Sequence, residues 1–319
     1  MRRSSTLQVI VLVAIAATMA VNAAANALPI NNLTTGDIAN RFDVFFLPAP
    51  YVFGIWGLIY LGLVLYGIYQ VLPPQRNNAR LAAIDVPFLI SCAANIAWIL
   101  VWHYEQFVVS ILAMLVLLGA LITLYLRLRS RPGRVPRAEF WTVYVPFSIY
   151  LGWITVATVA NVTAVLDYVG WTGWGISPEA WFVIVSVVAL AIALAVIWRR
   201  RDVAYGLVIP WAFAGIYARY PDAGIVSLTS LAVAAVALVV EGDDRLLLGP
   251  RPDQRHVAAQ DVDQLRQLVE AGAAQEAPGA GHPGVVLDLE DRLVELAQVD
   301  DLAQPLLGVG DHGAEHQHR

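Results

Sequence analysis

Three stretches of the chain carry aromatic and amide side chains at helical spacing. Phe53, Trp56 and Tyr60 stand at i, i+3 and i+7. Asn95, Trp98 and Trp102 repeat that spacing, and Tyr150, Trp153, Ala157 and Asn161 stand at i, i+3, i+7 and i+11. Each set therefore shares one face of its helix. Flat rings facing inward from three helices would suit a large planar apolar ligand. A purely structural reading competes with this one. Trp and Tyr collect at both membrane interfaces, and a buried Asn is often glue between helices, worth about 1 kcal/mol. Any single residue favours the structural reading; the three faces together favour a pocket.

Other chemistry is sparsely supplied. No Asp, Glu, Lys or Arg sits near the middle of an apolar run; Asp85, Glu105, Glu139, Asp167 and Glu179 all lie at run ends. Ion-coupled transporters and proton pumps usually keep a carboxylate at mid-depth, so that class is disfavoured. His103, also at a run end, reads as an interfacial polar residue. No Ser-His-Asp set, metal-ligand cluster or phosphate-binding glycine loop is present. The expectation is a non-enzyme with no catalytic residue, no metal and no resident cofactor. The single cysteine, Cys92, excludes an internal disulfide and Cys-rich zinc sites, and reads as a small buried hydrophobe.

The elements that must hold these faces are membrane helices. Of the 319 residues 58% are hydrophobic, and the mean hydropathy is +0.62. Such values with repeated long apolar runs indicate an all-α polytopic membrane bundle. Residues 1–28 satisfy two grammars. A basic start, a short apolar core and Ala25-Asn26-Ala27 make a cleavable signal peptide. Equally, Leu7–Leu28 is long enough to cross a bilayer, with Ala16, Ala20 and Ala24 at the four-residue spacing of close helix packing. After a polar loop at 28–47, seven further apolar runs fall at about 51–71, 86–102, 107–126, 140–166, 180–198, 203–219 and 223–240. The prolines before the first of these sit where a helix accepts them, at its first turn.

Charge sets the expected topology. Residues 1–240 hold 14 Arg and 9 Asp and Glu, and the chain has no lysine. With Met1 in the cytoplasm, twelve of those 14 arginines fall on the inner side and only Arg41 and Arg219 outside. The positive-inside rule thus favours eight spans with both termini cytoplasmic, in a bacterial plasma membrane. Residues 241–319 hold 6 Arg against 16 Asp and Glu, with no Trp, Tyr or Phe. They read as an acidic, disordered cytoplasmic tail. Its charge excludes nucleic acid as a partner, because phosphate contacts need clustered positive charge. Membrane lipid and a hydrophobic small molecule are the partners expected.

Taken in order, these motifs resemble the tryptophan-rich sensory protein, or translocator protein (TspO/MBR), family of five-helix membrane bundles. Pro48 to Tyr60 is similar to its P-P-x-W-x-F…W-x-x-(L/I)-Y motif, Asn95 to Trp98 to its N-x-x-W, and Tyr150 to Asn161 to its P-Y-x-x-W-x-x-x-A-x-x-x-N. Tyr51 stands at the family's first Trp, and Ile149 at the proline before the fifth-span tyrosine. The resemblance covers about residues 7–168. It implies a five-helix membrane domain at 1–168, with three additional helices at 169–240 and the tail at 241–319. Because a five-helix bundle needs a first helix, it also implies that residues 1–28 are retained. It further implies binding of a porphyrin, another tetrapyrrole or a sterol-like molecule, often by a homodimer acting as receptor, sensor or carrier. By motif match the ligand-binding residues are Tyr51, Phe53, Trp56, Asn95, Trp98, Trp153, Ala157 and Asn161, with loop 28–47 as a lid. The alternatives are a small-molecule transporter using all eight spans and a membrane enzyme that degrades tetrapyrroles.

Overall fold

The computed structural model describes residues 3–28, 30–131 and 133–242; the expected tail beyond Gly242 lies outside them. Among the described residues the chain is helical throughout and has no strand. Helix α1 (Ser5–Ala27) starts at Ser4, whose hydroxyl accepts the Leu7 N–H at 3.1 Å. Helix α2 (Thr35–Ala39) lies in the polar loop and opens on a reciprocal cap between Thr34 and Asp37. These hydrogen bonds to Thr34 hold the Asp37 carboxyl below its ordinary value of 3.8.

Helix α3 (Ile55–Val71) differs from the sequence reading at its start. Pro50–Gly54 forms a tighter 3₁₀ turn, so Tyr51 and Phe53 precede the α-helix rather than lying on it. Pro50 opens that turn, where its missing N–H costs nothing. Helices α4 (Ala79–His103) and α5 (Phe107–Arg129) follow. The Asn78 side chain caps α4 by accepting the Arg80 and Leu81 N–H groups, which starts that helix seven residues before its apolar run. A short α6 (Arg137–Glu139) leads through a π turn at Phe140–Tyr144 into α7 (Val145–Tyr168). Pro146 has no N–H to donate into the preceding turn, which accounts for the irregular ladder there. Gly62 of α3 lies against this proline; a Cβ on it would come within 2.6 Å of the Pro146 Cβ. Helix α8 (Pro178–Arg200) is capped by Ser177, and α9 (Val203–Gly206) by Asp202. Helices α10 (Val208–Arg219) and α11 (Ile225–Gly242) complete the described chain.

Among the described residues six helical segments are long and apolar enough to cross a membrane, the last being Pro178–Arg200. Val203–Arg219 and Ile225–Val240 are apolar but shorter. All eight apolar runs are therefore helical. The last two fall short of the roughly 20 residues that a bilayer core requires.

Five helices close into a ring, each packing on the next in the order α1, α4, α5, α7, α3 and back to α1. Tyr66, Phe88 and Phe147 fill its interior edge to face, with centroids 5.0–5.6 Å apart. Helices α9 and α10 pack on the outside of α7, and α11 packs against α10 and α8. Helix α10 comes close enough that a Cβ on Gly215 would meet Val52 Cγ2 at 2.0 Å. The same contact carries a backbone bond from the Ala49 N–H to the Gly215 carbonyl at 3.0 Å.

At one end of the ring, α1 begins, α3 ends and α4 begins, and Arg3 joins them. Its Nε donates to Asp85 at 2.8 Å and its Nη2 to the Gln70 amide oxygen at 3.0 Å, all buried. Arg80 pairs with buried Glu139, and Arg129 with buried Asp202, at that same end. The opposite end carries loop 28–49.

The Gly215 contact gives a contrast of sign. Gly215→Ala should displace Val52 and lower stability by about 1–3 kcal/mol. Gly119→Ala in α5, where nothing lies within 4 Å, should instead be neutral or stabilising, because a helix-interior glycine costs about 0.5–1 kcal/mol relative to alanine. Thermal unfolding in detergent micelles reads both; equal shifts would show that the α10 contact does not constrain the fold.

Candidate functional site

The ring brings most of the expected residues together, in two groups. The first is an aromatic layer at the loop-bearing half of the ring. Trp153 meets the edge of Phe53 at 5.8 Å and of Trp56 at 6.5 Å. Trp56 also stacks on Tyr60 at 5.5 Å and lies edge-on to Tyr150 at 5.9 Å. The 3₁₀ turn does not remove Phe53 from this layer, because it runs directly into α3. Asn95 donates to the Tyr150 hydroxyl at 3.1 Å and accepts from the Asn22 amide at 2.6 Å. Asn22, Asn95 and Tyr150 thus form a hydrogen-bonded chain across α1, α4 and α7.

The second group lies nearer the loop. Trp98 donates to Asn161 at 3.4 Å, and Asn161 donates in turn to Ser110 at 2.9 Å. Trp98 stacks on Trp102 at 5.4 Å. Ala157, half-buried, packs against the core between the two groups along α7. Tyr51 goes elsewhere. It is 53% exposed, and its ring meets Trp211 of α10 at 5.7 Å. Trp211 is itself fixed to the Val52 carbonyl at 3.1 Å, so α10 draws this face of the turn away from the aromatic layer.

One polar atom in the layer stands out. The Trp153 indole is 3% exposed, and its Nε1 has no hydrogen-bond partner. Buried donors are seldom left this way, since an unpaired one costs about 1–3 kcal/mol.

The loop covers the second group. Ile38 and Phe42 pack over Trp102 and Phe107, with Phe42 5.7 Å from the Trp102 centroid. His103, expected at an interface, is instead wholly buried beneath the loop. Its Nδ1 lies 3.2 Å from the Ile30 carbonyl and its Nε2 3.0 Å from the Thr35 hydroxyl. The carbonyl can only accept, so Nδ1 donates to it, while the Thr35 hydroxyl, able to donate or accept, completes the pairing at Nε2. Asn31 adds a bond to the His103 carbonyl at 3.2 Å.

A cavity of about 480 Å³ lies outside the ring, between α7, α8 and residues 43–46. None of the eight expected residues lines it. Its aromatic wall is Trp171 and Trp181, and Asp43 and Asp167 stand on its lining. Sequence reasoning missed this cavity, and it also missed Asn22, Ser110 and His103 as structural partners. For Asn22 a signal existed. Gln8, Thr18 and Asn22 are polar residues in an apolar run, and all are buried with Val11, Ile15 and Ala25 on one side of α1.

The amide chain generates a prediction. Asn95→Leu leaves the Asn22 amide and the Tyr150 hydroxyl without their shared partner, and should cost about 1–2 kcal/mol. Asn22→Leu combined with Asn95→Leu should cost less than the two single changes together, because both ends of the bond are then apolar. A double-mutant cycle on the unfolding midpoint reads this; strict additivity would show that the two amides do not interact.

The family model described as TSPO-like protein matches residues 8–242. That range extends beyond the three motifs and takes in α8 through α11. No curated protein and no solved structure matches the chain.

Proposed function

The chain belongs to the TSPO-like protein family, and from that premise we propose that this integral membrane protein is a receptor or carrier for a planar hydrophobic ligand. A tetrapyrrole or a sterol-like molecule is the class that fits. Trp153 is the observation that supports this reading. Its N–H is buried without an acceptor, and two half-buried rings, Phe53 and Trp56, surround it. A flat ligand sliding between those rings would gain stacking area and offer the missing acceptor. Asn95 and Tyr150 hold the floor of the layer in place, and Trp98 with Asn161 holds its loop-side wall. The loop, fastened through His103, governs access as a lid.

The test is a titration of the purified chain with protoporphyrin IX, followed by tryptophan fluorescence. Wild type should quench to saturation. Trp153→Phe keeps an aromatic ring and removes the donor, and should raise the apparent Kd about tenfold. Absence of quenching in wild type, or an unchanged Kd in Trp153→Phe and in Trp153→Phe combined with Trp98→Phe, would refute the pocket.

On the same reading the arginine-rich end faces the cytoplasm. Support comes from Arg3, Arg80, Arg129 and Arg137, which all belong to that end. A reporter fused after Glu241 should then be active in the cytoplasm of a bacterial host. A periplasmic signal would overturn the orientation.

A further inference from the structure

The cavity beside α7 has its own chemistry. Helix α8 packs on α9 and α11, and the space between it and α7 stays open toward the loop-bearing end. Along α7 the wall includes Thr158, Val162 and Leu166, and along α8 it includes Phe182 and Val185. The walls are apolar, while the mouth is acidic and aromatic. Asp167 accepts the Asp43 backbone N–H at 3.2 Å, and both residues line the cavity. Among the described residues no arginine pairs with either carboxylate. Arg41 is held by Glu105 at 2.7 Å, and Arg219 by Asn40 at 2.9 Å and by the Tyr220 hydroxyl at 3.0 Å.

The tryptophan wall is built rather than incidental. Trp171 and Trp181 lie with centroids 5.1 Å apart. The Trp181 N–H donates to the Gly173 carbonyl at 2.9 Å. Gly173 adopts φ +67°, and a Cβ there would lie 3.1 Å from the Trp181 ring, so the loop is folded closely around this indole. A volume near 480 Å³ falls within the range of small-molecule sites.

We propose that this cavity binds an amphiphilic organic cation, with its apolar body between α7 and α8 and its charged head among Asp43, Asp167 and the two tryptophans. Carboxylates and indole faces both attract such a head. The same mouth repels anions. A tetrapyrrole bearing carboxylate side chains would set negative charge against two aspartates, and an anionic phospholipid would do the same. The site is separate from the aromatic layer inside the ring, shares no lining residue with it, and selects for positive charge.

The full chain in maltoside micelles can be dialysed to equilibrium against tetraphenylphosphonium, with protein-free micelles as background and tetraphenylborate as an anion of matched shape. Tetraphenylphosphonium should bind saturably and tetraphenylborate should not. Asp43→Asn with Asp167→Asn preserves shape and one acceptor oxygen on each side chain, and should weaken the cation about tenfold. Val162→Trp fills the cavity and should abolish binding. Both variants should still quench with protoporphyrin IX, which shows that the ring is folded. If Val162→Trp does not fold, the asparagine pair alone decides. Tetraphenylphosphonium uptake no greater than in empty micelles, uptake undiminished in the asparagine pair, or equal uptake of tetraphenylborate would overturn the proposal. Loss of porphyrin quenching in wild type with cation binding intact would instead count against the intrahelical pocket and support this one.

Discussion

A charge buried in a helical bundle must be paired, and in this protein that constraint is met at one end of the molecule. Arg3 with Asp85, Arg80 with Glu139, and Arg129 with Asp202 join the start of α1 to α4, α4 to α6, and α5 to the α8–α9 junction. Each pair has at least one partner almost wholly out of water. Removing one member would strand the other, at a cost of about 3–5 kcal/mol. The ion pair at the opposite end, Arg41 with Glu105, is 44% exposed on both sides and is worth about 0–1 kcal/mol. The bundle is thus pinned at its arginine-rich end and held at the other by a loop. Opening of the bundle is therefore least costly at the loop end, where both the aromatic layer and the outer cavity lie.

Between those ends the polar residues form short closed chains. Asn22, Asn95 and Tyr150 satisfy one another, as do Trp98, Asn161 and Ser110. Taken alone these chains are interhelical glue, and they explain why asparagine recurs on the aromatic faces without any ligand. Within the aromatic layer the structural and ligand-binding readings part at Trp153; the Tyr66 hydroxyl, deeper in the ring, is likewise buried without a hydrogen-bond partner. A residue selected only for packing could as well have been phenylalanine, since its indole N–H has no partner. The cost of burying that donor is accounted for if something else is meant to accept from it.

Much of this was legible in the sequence, because helical spacing is a local property. The eight apolar runs, the aromatic faces on α3, α4 and α7, and the place of Asn95 beside them follow from periodicity. Tyr51 was misplaced for a non-local reason. Trp211 lies 160 positions away in the sequence, yet it captures the Tyr51 ring and the adjacent carbonyl. The 3₁₀ turn at Pro50–Gly54 was hidden for a related reason, since a proline at a first turn suits either helix type. Burial of His103 could not be read from its position at a span end, because it depends on where the loop settles. The cavity depends on how α8 leans away from α7, and no periodicity encodes that.

The two proposed sites differ in what each requires of the helices around it. The inner layer is neutral, built from rings and amides, and shared among helices that match the five-helix motif set. The outer cavity needs α8 for one wall and the Trp171–Gly173 turn for its mouth. Without α8, Asp43 and Asp167, which are exposed, would have no apolar wall beside them. Two exposed carboxylates attract a monovalent cation weakly by themselves; an apolar wall and two indole faces beside them add contact for its organic body and head. On the proposed reading, α8 and the turn before it make an acidic helix end into a place where charge would discriminate between ligands, next to an aromatic layer that would discriminate by shape.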